Sequence, residues 1–173
     1  MLLLPIFIFL FFLCFLDTGS PIFSQKRVGQ NLKIFKIFKF RTMKIKTLSK
    51  ATHLVSDKNI TKLGYFLRKY KLDELPQLIN IIKGEMSFVG PRPCLINQIK
   101  LINERKKKNI FNFRPGITGL AQIKHITMEK PLLVAKTDNK MMKKFTFYYY
   151  FIYILHTIFP FLIFKNIKKH KCF

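Results

Sequence analysis

The chain opens on MLLLPIFIFLFFLCFL, residues Met1 to Leu16, a run without a charged side chain. As a helix it reaches about 24 Å, short of the roughly 30 Å of hydrocarbon that a perpendicular span must cross. Such a segment must bury itself in protein or lipid, yet it cannot comfortably traverse a bilayer. No basic residue precedes the run, so an embedded or re-entrant segment is expected rather than a secretory signal. A second apolar run, FTFYYYFIYILHTIFPFLIF from Phe145 to Phe164, is followed by Lys165, Lys168, Lys169 and Lys171. Its length would allow a span. Tyr148, Tyr149, Tyr150, Tyr153 and His156, with Pro160 interrupting, favour a segment lying at an interface, where ring and hydroxyl meet different phases.

Between these ends the chain is strongly basic. Its 173 residues carry 32 Lys and Arg against 8 Asp and Glu, a formal charge of +24. A field of that strength calls for polyanionic partners, which nucleic acid, anionic lipid and phosphorylated substrates all supply. Basic clusters beside apolar segments favour the anionic leaflet of a membrane, at about 1 kcal/mol per basic residue near the surface. Nucleic-acid binding rests on charge alone and has no recognition motif behind it, so no nucleic-acid partner is expected. A hydrophobic content of 49% excludes a disordered polyelectrolyte, and the length suits one domain. Cys14, Cys94 and Cys172 are scattered, as are His53, His125, His156 and His170, which indicates neither a disulfide framework nor a zinc site.

From Ser20 to Met43, branched and aromatic residues flank the breaker cluster Gly29, Gln30 and Asn31, a pattern for two short strands joined by a turn. Lys33, Lys36 and Lys39 recur every third residue and offer a basic helical face as the competing reading. Lys44 to Asn59 reads as a surface loop. Leu63, Phe66, Leu67 and Tyr70 predict an amphipathic helix. A second helix is expected to begin with Asp73 as N-cap and Pro76 in its first turn, burying Leu75, Leu78, Ile79 and Ile82 and stopping at Lys83 and Gly84. MSFVGPRP and RPGITG read as tight loops, and Asn97 to Asn109 as a basic helix.

Asp73 and Glu74 are two of few acids in a basic chain, with arginines near them in sequence. At a helix N-terminus, free N–H groups and the partial positive charge would hold Asp73 ionised and attract phosphate. An ionised carboxylate can attack phosphorus. Two adjacent carboxylates repel, and a divalent cation shared with a substrate diphosphate would let both stay ionised. Glu74 is the expected ligand and Mg the expected ion, because Mg pairs with one or two carboxylates plus phosphates.

Together SPIFSQKRVG, IFKFRTM, LGYFLRKYKLDELPQLINIIKGEMSFVGPRP and RPGITGLAQI resemble the bacterial sugar transferases, the monotopic phosphoglycosyl transferases that begin lipid-linked glycan assembly. The resemblance implies that Asp73 attacks the sugar-bearing phosphate of a UDP-sugar, that UMP leaves, and that polyprenyl phosphate then accepts the phosphosugar. It implies Glu74 as acidic partner and metal ligand. Arg68 and Arg92 match phosphate-binding arginines. Lys39, Arg41 and Arg114 lie in matching motifs and are assigned to substrate phosphates or their immediate support. Asp138, in AKTDNKM, is structural or sugar-facing. The implied fold is α+β, a mostly helical single domain with a small β-hairpin, monotopic on the inner membrane with its active site facing the cytoplasm. Residues 1–16 would form a truncated re-entrant helix, 17–144 the catalytic domain, and 145–173 an interfacial aromatic segment and basic tail. Leu4 stands where the family's re-entrant helix has serine before Pro5. Either the start lies upstream, or the chain is a truncated, inactive, cationic membrane-binding remnant.

Overall fold

The computed structural model describes residues 3–45 and 59–159. Most of the loop expected between Lys44 and Asn59, together with Pro160 and the basic tail, lies outside the described residues. The fold is α+β. The contacts group into two compact units, the first holding the described residues of Met1–Val28 and Ile34–Glu85, the second those of Gly29–Lys33 and Met86–Phe173.

In the first unit, helix α1 (Leu3–Thr18) runs on past the apolar stretch and stops where Gly19 turns to φ +70, a conformation that suits glycine. Leu10 and Cys14 on one side of α1 pack with Phe40 and Leu67, flanked by Phe7, Phe11, Leu63 and Leu72. The sequence of α1 is apolar on every side, so what this cluster does not cover is exposed apolar surface: Leu4, Phe9, Phe12, Phe15 and Leu16, the last 81% exposed. Among the described residues no helix is long and apolar enough to cross a membrane.

Strands β1 (Ile22–Val28) and β2 (Ile34–Phe40) form the expected hairpin, antiparallel and in register from Ile22↔Phe40 to Val28↔Ile34. Buried Phe35 and Ile37 alternate with exposed Ile34 and Lys36. This two-residue period of burial overrides the three-residue spacing of the lysines. Helix α2 (Lys62–Lys69) is capped by the Thr61 hydroxyl, which accepts from Gly64 N at 2.9 Å. Its buried face departs from expectation: Leu67 is buried, whereas Phe66 and Tyr70 are exposed and lie ring to ring at 4.9 Å. Gly64 is the reason. Without a side chain it lets the helix backbone close onto Thr42, which turns the Gly64 and Leu67 side inward.

Helix α3 (Gln77–Ile82) also departs from the expected stripe. Ile79 is exposed and Ile82 is 86% exposed, while polar Gln77 and Asn80 are buried. The helix is held to its surroundings by amide hydrogen bonds of Asn80 rather than by an apolar face.

The second unit contains β3 (Ser87–Val89), α4 (Ile99–Lys106), β4 (Gly116–Thr118), α5 (Leu120–Ile123), α6 (Pro131–Lys143) and α7 (Phe147–Ile158). The expected basic helix is α4. The two motifs read as loops contribute a short parallel pair, β3 beside β4, with Ser87↔Gly116 and Val89↔Thr118 in register. Val89, Leu120, Met141, Ile152 and Tyr153 form the apolar core of this unit. Helix α7 therefore has an inner side in protein, where burial pushes the Tyr153 phenol up to about 12, and an outer side with Phe147, Tyr148, Phe151 and Leu155 exposed.

Candidate active site

Asp73 and Glu74 lie in the first unit on a 3-10 turn, Leu72–Glu74, entered through Lys71 in the left-handed conformation at φ +56. Asp73 is not the N-cap of the following helix. Pro76 has no N–H and cannot continue an i to i−4 ladder, so the segment uses tighter bonds: Glu74 N to Lys71 O at 3.3 Å, Leu75 N to Leu72 O at 3.2 Å, Ile79 N to Pro76 O at 3.1 Å. Pro76 itself occupies the N-cap of α3. The carboxylates thus sit on a tight turn ahead of the helix.

Lys39, carried by β2, places its ammonium 2.6 Å from Glu74 Oε1, with the two side chains 18% and 12% exposed. A charge-assisted contact with so little water around it is stronger than a surface pair. Arg68, on α2, donates from Nε to Thr42 Oγ1 at 2.8 Å. Arg41 donates from Nε to the Ser20 carbonyl at 2.9 Å and lies over the Phe23 ring at 5.7 Å, so it braces the junction between α1 and β1.

Arg92 and Arg114 belong to the second unit, on loops that follow β3 and precede β4. These loops are knitted by backbone bonds, Gly90 N to Thr118 O at 2.8 Å and Gly116 N to Pro91 O at 3.0 Å. A Cβ at Gly90 would stand 2.5 Å from the Arg114 carbonyl oxygen, so this approach requires glycine. Arg92 is half-buried and Arg114 exposed.

Two buried polar positions lie outside the expected site residues. Arg105, on α4, is 2% exposed and donates from Nε and NH2 to Asp138 Oδ2 at 3.0 and 2.7 Å. Its NH1 donates to the Arg92 carbonyl at 2.8 Å. Asp138 is fully buried, which resolves the open choice in favour of a structural carboxylate. Burial pushes its carboxyl above the usual range, against the pull of the Arg105 charge. Asn80 is the other, a buried amide in the apolar stretch LINII. The available signal was that polar interruption itself, since a buried amide persists only where it is hydrogen-bonded.

Among the described residues no group of three or more His, Cys, Asp or Glu converges on a metal position. Mg does not demand one, because it binds through one or two carboxylates with substrate phosphates and water completing the shell. Glu74 Oε1 lies 2.6 Å from the Lys39 ammonium, so an ion at this carboxylate would share or displace that contact.

The first unit thus presents an acidic turn with a lysine on one of its carboxylates, on an α+β scaffold. The model of the bacterial sugar transferase family matches residues 1–163, and the chain belongs to that family. It is 40% identical over 139 residues to an uncharacterized sugar transferase of Haemophilus influenzae, an alignment covering 69% of this chain and 29% of that protein. It is 43% identical over 117 residues to the UDP-glucose:undecaprenyl-phosphate glucose-1-phosphate transferase of Escherichia coli, covering 62% and 24%. With the exopolysaccharide production protein ExoY of Rhizobium meliloti it shares 40% over 137 residues, covering 69% and 60%. The chain therefore spans less than two thirds of the length of each of these relatives.

Proposed function

We propose that this chain transfers a sugar phosphate from a UDP-sugar to a polyprenyl phosphate, the first step of a lipid-linked glycan, O-antigen, capsule or exopolysaccharide. The observation that carries the reading is the turn Leu72–Glu74, which sets Asp73 beside a Glu74 already paired with Lys39 in a chain of this family. The name of the Escherichia coli relative supplies the donor and acceptor classes.

In this mechanism a carboxylate oxygen of Asp73 attacks the sugar-bearing phosphorus. The bond from that phosphorus to the bridging oxygen breaks, and UMP departs with the electron pair. An oxygen of polyprenyl phosphate then attacks the aspartyl phosphosugar, the aspartyl oxygen leaves, and the carboxylate is restored. Dividing one displacement into two lowers each barrier and predicts ping-pong kinetics. Arg68 is assigned to the donor diphosphate, a task suited to its permanently charged planar fork. Arg92 and Arg114 carry over from the family resemblance as further phosphate contacts. Mg, held by Glu74, would neutralise charge on the diphosphate. The reaction is assigned to the cytoplasmic face of the inner membrane, with the uncovered apolar surface of α1 lying in lipid and basic side chains meeting anionic headgroups.

The test is a single-turnover measurement without polyprenyl phosphate. With UDP-sugar and Mg, UMP should rise to about one equivalent and intact mass should show the phosphosugar on the protein. Asp73→Asn should abolish both. An adduct that still forms in the Asn variant, or a loss of turnover below about tenfold, would mean direct transfer from donor to lipid.

A further inference from the structure

Asn80 makes more of its side chain than any structural need of a six-residue helix requires. It is fully buried in α3. Its Oδ1 accepts from Phe38 N at 3.1 Å, and its Nδ2 donates to the Lys36 carbonyl at 2.7 Å. These two backbone groups flank Ile37 on the edge of β2 that β1 leaves unpaired. One side-chain amide therefore makes the two bonds that a residue of a neighbouring parallel strand would make. The second hydrogen of Nδ2 goes to Glu85 Oε2 at 2.7 Å, and Glu85 N donates back to the Asn80 carbonyl at 2.9 Å. An ionised Glu85 only accepts, so it draws Nδ2 toward itself and fixes which way round the amide lies.

We propose that Asn80 is a positioning residue that sets the Lys39–Glu74 pair through the free edge of β2. Lys39 follows directly on Phe38, whose N–H the amide holds. Glu74 stands on the turn that leads into the helix carrying Asn80. The amide is thus a crossbar between the strand that delivers the ammonium and the segment that delivers the carboxylate. A hydrophobic residue at this position would fill the space but leave Phe38 N and the Lys36 carbonyl unpaired, freeing the strand to slide or tilt.

The catalytic part of this inference rests on the proposed transfer reaction; the positional part does not, and the experiment separates them. The full chain in detergent is treated with an amine-acylating reagent, and the rate at Lys39 is followed by peptide mass spectrometry. Asn80→Asp keeps the acceptor for Phe38 but loses the donor to Lys36, and should raise the Lys39 rate severalfold. Gln77→Met, an equally buried change on the same helix, should leave it unchanged. Should Asn80→Asp fail to fold, Glu85→Ala releases the amide without altering it and should give a smaller rise. In the transfer assay Asn80→Asp should lower kcat roughly 10- to 100-fold with KM for the UDP-sugar nearly constant, as small misplacements of catalytic groups do. Lys39→Met with Asn80→Asp should be no slower than Lys39→Met alone, because one acts through the other. An unchanged Lys39 acylation rate, or losses that multiply in the double variant, overturns the proposal. A wild-type chain that transfers nothing would reject the reaction, while the acylation rates would still decide the positioning.

Discussion

Replacing Arg105 by Leu removes three hydrogen bonds at once, two to Asp138 Oδ2 at 3.0 and 2.7 Å and one to the Arg92 carbonyl at 2.8 Å. With both side chains almost wholly buried, the variant strands a carboxylate in protein, at a cost of about 3–5 kcal/mol. The Arg92 carbonyl loses a charged donor worth about 1.5–3 kcal/mol. These losses share one network and do not simply add. A total near 5 kcal/mol, against stabilities of roughly 5–15 kcal/mol for domains generally, makes this a severe lesion. Its pH dependence has a definite sign. Burial already raises the Asp138 carboxyl, and without Arg105 nothing opposes that shift. A carboxyl with a higher value folded than unfolded binds its proton more readily in the native state. Stability is then greatest at acid pH and falls as pH rises from the ordinary carboxylate value through the folded one, by up to about 1.4 kcal/mol per pH unit. Urea unfolding in detergent, followed by circular dichroism, should show the Arg105→Leu penalty smaller at pH 5 than at pH 8. Adding Asp138→Leu should recover most of the loss, since an apolar pair replaces a buried ionic one at little cost. A penalty under about 1 kcal/mol at pH 8, or one of equal size at both pH values, would refute this account.

Gly64→Ala should destabilise the first unit by about 1–3 kcal/mol or more, because the new methyl meets the Thr42 backbone, which cannot rotate away as a side chain would; urea midpoints check it, and a midpoint equal to wild type would contradict it. Glu74→Gln should weaken both turnover and its dependence on Mg, read by titrating the ion back after chelation, and transfer that ignores the chelator would remove Glu74 as ligand. Washing membranes with 1 M salt, where the Debye length is about 3 Å, should leave the protein bound through apolar surface, and release by salt alone would exclude an embedded anchor.

The hairpin is legible because branched and aromatic residues flank a breaker cluster, a local signal that the fold does not override. The helix after the acidic pair was legible in existence but not in its start. Pro76 suits a first turn, but the helix starts at Gln77 with Pro76 as its N-cap, and Asp73 and Glu74 lie on tighter bonds ahead of it. The buried faces of α2 and α3 were hidden for a different reason. A glycine that invites close backbone approach and an asparagine that caps a sheet edge both act on partners far along the chain, and neither contributes to an apolar period. The pairing of β3 with β4 was equally out of reach, since strands of three residues carry too little pattern to distinguish them from loops. The acidic pair itself stood out by rarity of charge, while Arg105 was one basic residue among many until its burial against Asp138 set it apart.

The close fit of Gly90 against the Arg114 carbonyl, with backbone bonds on either side, makes the loops of Arg92 and Arg114 mechanically one piece. Neither loop can swing to meet or release a ligand without dragging its neighbour. Any opening of this region must then carry both guanidinium groups together, and a substitution that loosens one loop should be felt by the arginine on the other.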